Sequence, residues 1–179
     1  MQMQTTSSQL LRQTAAQADL DAAESRNRRA AQAARFRAAF RAQQTAAQNR
    51  RALEERGGFA AVHTGADYER FVAALLTADG FTVTQKGGSG DCGCDLLVSL
   101  PSGPAVVQCK FYSFPVGYDA VKEAYAAKAL YRATAAFVCT NATYTRQARR
   151  TAAQLGIQLT THATLSAALG RETAVLERG

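Results

Sequence analysis

The sequence predicts an α/β protein: a mixed central sheet flanked by helices, preceded by one long N-terminal α-helix. Three observations point there. The first 56 residues contain no Gly and no Pro. From Gly57 onward, apolar residues recur at helical spacing in some stretches and at strand spacing in others. Glycines and prolines fall between those stretches, where elements should end.

The first segment, residues 1–56, is built mainly from Ala, Gln, Arg and Leu, all good helix formers. Thr5, Thr6, Ser7 and Ser8 offer N-caps, and Gly57-Gly58 offers a stop. A helix from Ser8 to Arg56 would be roughly 75 Å long at about 1.5 Å per residue. Such a helix is too long to bury itself against a domain of about 120 residues. Its large apolar residues are few: Leu10, Leu11, Leu20, Phe36, Phe40 and Leu53. Phe36 and Phe40 share one face, but no sustained heptad seam follows. The segment holds ten Arg, no Lys and five acids, and eight of those arginines fall between Ser25 and Ala52 without one Asp or Glu. Three readings stay open for it: a solvated helical arm or partly disordered linker, a helix that oligomerises or docks a partner, and an arm lying on DNA phosphates.

The second segment, residues 57–179, reads as the folded domain, with its core at about residues 66–160. Asp67 to Ala78 is an amphipathic helix, with Tyr68, Phe71, Val72, Leu75 and Leu76 on one face and Gly80 as its stop. Phe81 to Thr84 alternates as a short strand. Asp95 to Leu100 and Ala105 to Phe111 are strands joined by the turn residues Pro101-Ser102-Gly103-Pro104. Val116 to Tyr131 is helical, Ala135 to Thr140 a buried strand, Tyr144 to Leu155 a helix stopped by Gly156, and Ile157 to Thr160 a last strand.

Composition narrows the function. A net charge of +7 favours an acidic partner, nucleic acid above all. No run of 18 apolar residues exists, and the N-terminus lacks the charged start and apolar stretch of a secretory signal. A cytoplasmic location is therefore expected. Cys92, Cys94, Cys109 and Cys139 agree with a reducing compartment. A four-thiolate zinc site would need all four to converge, whereas Cys109 and Cys139 sit in apolar strands as core residues do.

The chemistry concentrates in two stretches. Gly87-Gly88-Ser89-Gly90-Asp91-Cys92-Gly93-Cys94 is a glycine-rich turn that delivers Asp95 to the start of a strand. After the Pro/Gly turn comes Val106-Val107-Gln108-Cys109-Lys110, in which Gln108 and Lys110 share a face and should look into a cleft. A hairpin between the strands brings Asp95 beside Gln108. A carboxylate and an amide oxygen are hard ligands of the kind Mg²⁺ takes. A lysine two residues on can orient a water and offset charge developing on a phosphate. Glu69 is the best candidate for a second carboxylate, and Asp91 is better read as a partner of loop amides. Neither His63 nor His162 lies in a motif and Ser89 has no base beside it, so a serine–histidine mechanism is unsupported.

The series Tyr68-Glu69, Gly80-Phe81, Gly87 to Leu97 and Val107-Gln108-Cys109-Lys110 resembles the Mrr-type restriction endonuclease domain, a branch of the PD-(D/E)xK nuclease superfamily. The resemblance continues through Pro115-Val116-Gly117, Ala126-Ala127-Lys128, Thr140-Asn141 and Tyr144-Thr145-x-x-Ala148-Arg149, in order. It implies a restriction-endonuclease-like core, dependence on a divalent metal (Mg²⁺, with Mn²⁺ as substitute) and double-stranded DNA as substrate. The metal-binding Asp maps to Asp95, the Glu/Gln position to Gln108, the lysine to Lys110 and the helix glutamate to Glu69. Cys94 stands where the superfamily's name has proline, and Gln108 leaves the metal site one negative charge short.

Lys86 precedes the glycine loop, and Arg146, Arg149 and Arg150 fall on a helix after the Thr140-Asn141 strand end; all four are candidates for DNA phosphates. The function expected is a Mg²⁺-dependent DNA endonuclease serving restriction, phage defence or DNA processing. The alternatives are a non-cleaving DNA-binding or assembly subunit with this fold, and a junction-resolving nuclease. No winged-helix pattern appears in residues 1–56, so methyl-specific restriction by this chain alone is not expected and targeting is left to a partner protein; the N-terminal helix could dock that partner or form a homo-oligomer.

Overall fold

The computed structural model describes residues 3–86 and 93–174. The chain divides into two compact units, one up to Gln44 and one from Thr45.

Helix α1 runs from Met3 to Glu55 and supplies the whole described part of the first unit. The Thr5–Ser8 stretch expected as its cap lies inside it, because nothing in that stretch breaks a helix. Gln17 donates to Asp21 and Arg28 pairs with Glu24, both at i,i+4 spacing on the exposed surface. Leu20, Phe36 and Phe40 are all exposed.

In the second unit the last turns of α1 are anchored. The Arg50 guanidinium donates twice to the Asp79 carboxylate, which also accepts from Ser166 Oγ. A short 3₁₀ turn, Gly58–Ala61, leads to α2 (Gly65–Ala78). Helix α2 starts two residues earlier than its apolar periodicity suggests, because Thr64 and Asp67 form a capping box: Thr64 Oγ1 accepts from Asp67 N, and Asp67 accepts from Thr64 N. It ends where Gly80, at φ +92°, donates to Thr77 O and Phe81 donates to Leu76 O.

Five strands follow: β1 (Thr82–Gln85), β2 (Leu96–Leu100), β3 (Gly103–Lys110), β4 (Ala135–Thr140) and β5 (Gln158–Thr161). They lie side by side in chain order, with β1, β2 and β3 antiparallel and β3, β4 and β5 parallel. The parallel steps are crossed by α3 (Tyr118–Leu130) and α4 (Arg146–Leu155). A last helix, α5 (Leu165–Ala174), was not expected from the sequence.

Both faces of the sheet are covered, so β4 is buried throughout. On one face Leu96, Val98, Val107 and Phe137 pack with Tyr68, Val72 and Leu76 of α2 and with Leu165 and Leu169 of α5. On the other, Val106, Ala136 and Val138 meet the alanine-rich sides of α3 and α4. No helix among the described residues is long and apolar enough to cross a membrane.

Candidate active site

The antiparallel register pairs Leu96 with Val107, and one step further along it Asp95 faces Gln108. Asp95 N continues the ladder by donating to Val107 O at 3.2 Å. Asp95 is 8% exposed, and its Oδ2 accepts from Gln108 Nε2 at 2.7 Å and from Cys109 N at 2.6 Å. Two donors on one carboxylate oxygen hold the side chain in a single orientation.

Gln108 is 4% exposed and therefore does not open onto a cleft as expected. Its face of the sheet is roofed by α3. Its Nε2 is committed to Asp95, and Gln108 Oε1 is buried and accepts no hydrogen bond from any described group. Buried acceptors left in this state are rare and call for a cation or a water. The donor chemistry, a carboxylate and an amide oxygen, fits a hard divalent ion. Among the described residues no three His, Cys, Asp or Glu side chains form a metal cluster.

Lys110 ends β3 opposite Thr140 of β4, whose hydroxyl donates to Lys110 O at 2.7 Å. Its Nζ pairs with Glu123 of α3 at 2.7 Å. Burial works against the charge on this lysine, but the Glu123 hydrogen bond and surrounding negative charges, Asp95 among them, outweigh it and raise the pKa. Lys110 is thus a firmly protonated cation. Gly93 explains how Asp95 reaches this place. At φ +83°, with a Cβ that would lie 2.6 Å from Glu123 Cβ, position 93 accepts only glycine as the chain passes α3.

Glu69 is half-buried on α2. Its charge is felt at the Cys109 thiol, whose pKa burial pushes up first, followed by Cys139, Asp95 and Glu69, with Lys110 opposing. Asp95, Lys110 and Glu69 thus each bear on the Cys109 thiol, whose side chain lies on the α2 side of the sheet. The remaining sequence candidates lie outside this cluster. Lys86 is tied to it by its backbone, donating to Asp95 O at 2.9 Å, while its Nζ sits 5.7 Å from the Tyr131 ring centre. Arg146, Arg149 and Arg150 are exposed on α4, with the Arg149 guanidinium over the Tyr144 ring. Ser89, Asp91 and Cys92 lie outside the described residues.

Glu123 escaped the sequence reading altogether, and Asn141 enters it only as part of the matched series, without a role. Glu123 borders the buried Ala120/Ala124/Ala127 stripe of α3, and periodicity marks that stripe without saying which strand it meets. Asn141 accepts from Tyr112 N and donates to Tyr112 O, both at 2.9 Å, clamping the loop that leaves β3.

Fold and site together place the chain among the restriction-endonuclease-like α/β proteins. The Mrr_cat family model, described as a restriction endonuclease, matches residues 61–169, more than half of the chain, and the protein belongs to that family. A crystal structure of AF1548, a protein of unknown function, is similar at 25% identity over 52% of this chain and 55% of that one, with a TM-score of 0.44. The chain thus spans about half the length of that protein. No curated protein matches significantly.

Proposed function

We propose that the chain is a Mg²⁺-dependent endonuclease hydrolysing phosphodiester bonds in double-stranded DNA. One observation carries the reading beyond family membership: the buried Asp95–Gln108 pair leaves Gln108 Oε1 without a hydrogen-bond partner, two residues before a protonated lysine.

Asp95, Gln108 Oε1 and Glu69 would hold Mg²⁺, or Mn²⁺ in its place. The bound ion supplies polarisation of the scissile phosphate and a lowered pKa for an attacking water. Cys109 N and Gln108 Nε2 fix the Asp95 carboxylate beforehand. Gln108 brings no charge, so Glu69 or a DNA phosphate makes up the deficit. Lys110 exchanges Glu123 for the phosphate and offsets the charge that develops there. Lys86, Arg146, Arg149 and Arg150 contact the phosphodiester backbone and make binding weaken with salt. In this reading residues 57–179 are the nuclease domain, preceded by the helical arm of residues 1–56, with a cytoplasmic role in restriction, phage defence or DNA processing.

A second reading, a non-cleaving DNA-binding subunit, is favoured by the ion pair that occupies Lys110. Supercoiled plasmid separates the two. The nuclease reading expects nicking with Mg²⁺ that stops with chelator and is lost in Lys110→Ala. Salt-sensitive binding without nicking by the wild-type chain would transfer the case to the second reading.

A further inference from the structure

The loop between β3 and α3 turns one aromatic ring inward and two outward. Phe111 stacks on buried Tyr68 at 5.6 Å and seats the loop on the core. Tyr112 and Phe114 instead stack on each other, with ring centres 4.7 Å apart and planes within 15°, yet remain 37% and 60% exposed. The loop that carries them is held from both ends. Asn141 clamps the Tyr112 backbone on both sides, and Val116 exchanges backbone hydrogen bonds with Thr143 and Thr145. A flat apolar surface of two rings is thus kept facing water at the expense of burial.

Its surroundings say what it suits. The two rings line a cavity of about 320 Å³ together with Lys110, Asp119 and Glu123. Lys110 belongs to the candidate active site, so this cavity is continuous with it. A nucleotide whose phosphate reaches Lys110 enters the cavity that the two rings also line. Rings give a base a stacking face whatever its identity. The Asp119 and Glu123 carboxylates, paired with Lys122 at 2.8 Å and Lys110 at 2.7 Å, are acceptors matched to exocyclic amino groups of a base. A paired base inside a duplex cannot present its face to a protein ring, so the occupant has left the helical stack.

We infer that the Tyr112–Phe114 stack is a platform for one unstacked DNA base next to the cleavage site, giving the enzyme a preference for DNA that is bulged, frayed or otherwise distorted there. This rests on the DNA-directed reading above.

The test uses the full-length Asp95→Ala chain, so that binding is measured without cleavage, and two 2-aminopurine oligonucleotide duplexes: one with the probe base bulged, one fully paired. Binding should quench the bulged probe by stacking and leave the paired probe unchanged. Adding Phe114→Ala should weaken binding to the bulged DNA roughly 5- to 150-fold, the range carried by base–aromatic stacking. Affinity for the paired duplex should stay the same, and Phe114→Trp should keep both quench and affinity. Circular dichroism of each variant confirms the fold, and Tyr112→Leu provides a second substitution should Phe114→Ala lose it. Equal losses on both DNAs, no loss on either, or no binding at all would overturn the platform. Cleavage by the wild-type chain is scored separately. Stack-dependent binding without cleavage sinks the nuclease but keeps the platform; cleavage indifferent to Phe114 keeps the nuclease and sinks the platform.

Discussion

Phe36 on α1 is 74% exposed, whereas Phe137 on β4 is fully buried. Both stand in alanine-rich surroundings. Around Phe36 the neighbours are arginines, glutamines and alanines, which suffice to form a helix but leave its apolar face without a partner inside its own unit. Around Phe137 the chain alternates helices and strands that return to one another, so that two faces of a sheet can be covered. Helix formation is a local property of the sequence; burial requires elements that return to one another. The first region reveals a helix and withholds its purpose, while the second reveals a fold and a family.

The largest test of this contrast is truncation of the two rings. Phe137→Ala should destabilise the fold by about 3–5 kcal/mol through lost burial and a cavity in a core that cannot collapse. Urea unfolding measures it, and a loss comparable to an exposed-site substitution would break the comparison. Next comes the anchor of α1 in the second unit. Asp79→Ala removes a carboxylate bonded to Arg50 and Ser166 and should cost about 1.5–3 kcal/mol by the same measurement.

A smaller effect is expected at His162, stacked on Phe59 at 4.7 Å and bonded to Tyr68 Oη at 3.3 Å. Burial lowers its pKa below the ordinary 6.5, with Glu54 opposing. A histidine whose folded pKa is depressed stabilises the fold fully above its unfolded value, and that contribution is lost as pH falls below about 6.5 toward the folded value. Melting temperature should therefore fall less on acidification in His162→Gln than in the wild type. The smallest effect belongs to the arm: Phe36→Ala with Phe40→Ala should change stability by no more than about 0.5 kcal/mol per site. A larger loss that depends on protein concentration would show that a second copy covers this face.

Legibility followed the same division. Helix α2 was readable because Tyr68, Phe71, Val72, Leu75 and Leu76 repeat at helical spacing, although its start required recognising Thr64-x-x-Asp67 as a capping box. Leu165, Ala168 and Leu169 carry a similar i, i+3, i+4 signal for α5, but it is too short to stand out without the sheet they pack on. The end of α3 gave no glycine to read, since Arg132 itself adopts φ +49° there. At the site, the Asp95–Gln108 contact follows from strand alternation and hairpin register alone. The Lys110–Glu123 pair does not, because it depends on how α3 is rotated over the sheet, and alanines on several sides leave that rotation unmarked. The burial of Gln108 was missed for the same reason. A polar residue in a strand was read as facing a cleft, whereas α3 covers it and leaves only its amide oxygen without a partner.

The most direct test of the account is the plasmid-nicking rate of the wild type and Asp95→Ala, measured side by side across a Mg²⁺ titration. The account predicts nicking by the wild type that saturates with Mg²⁺ and falls by about 10²–10³-fold or more in the variant, the scale of losing one charge-stabilising group. Equal rates in the two chains at every Mg²⁺ concentration would contradict it.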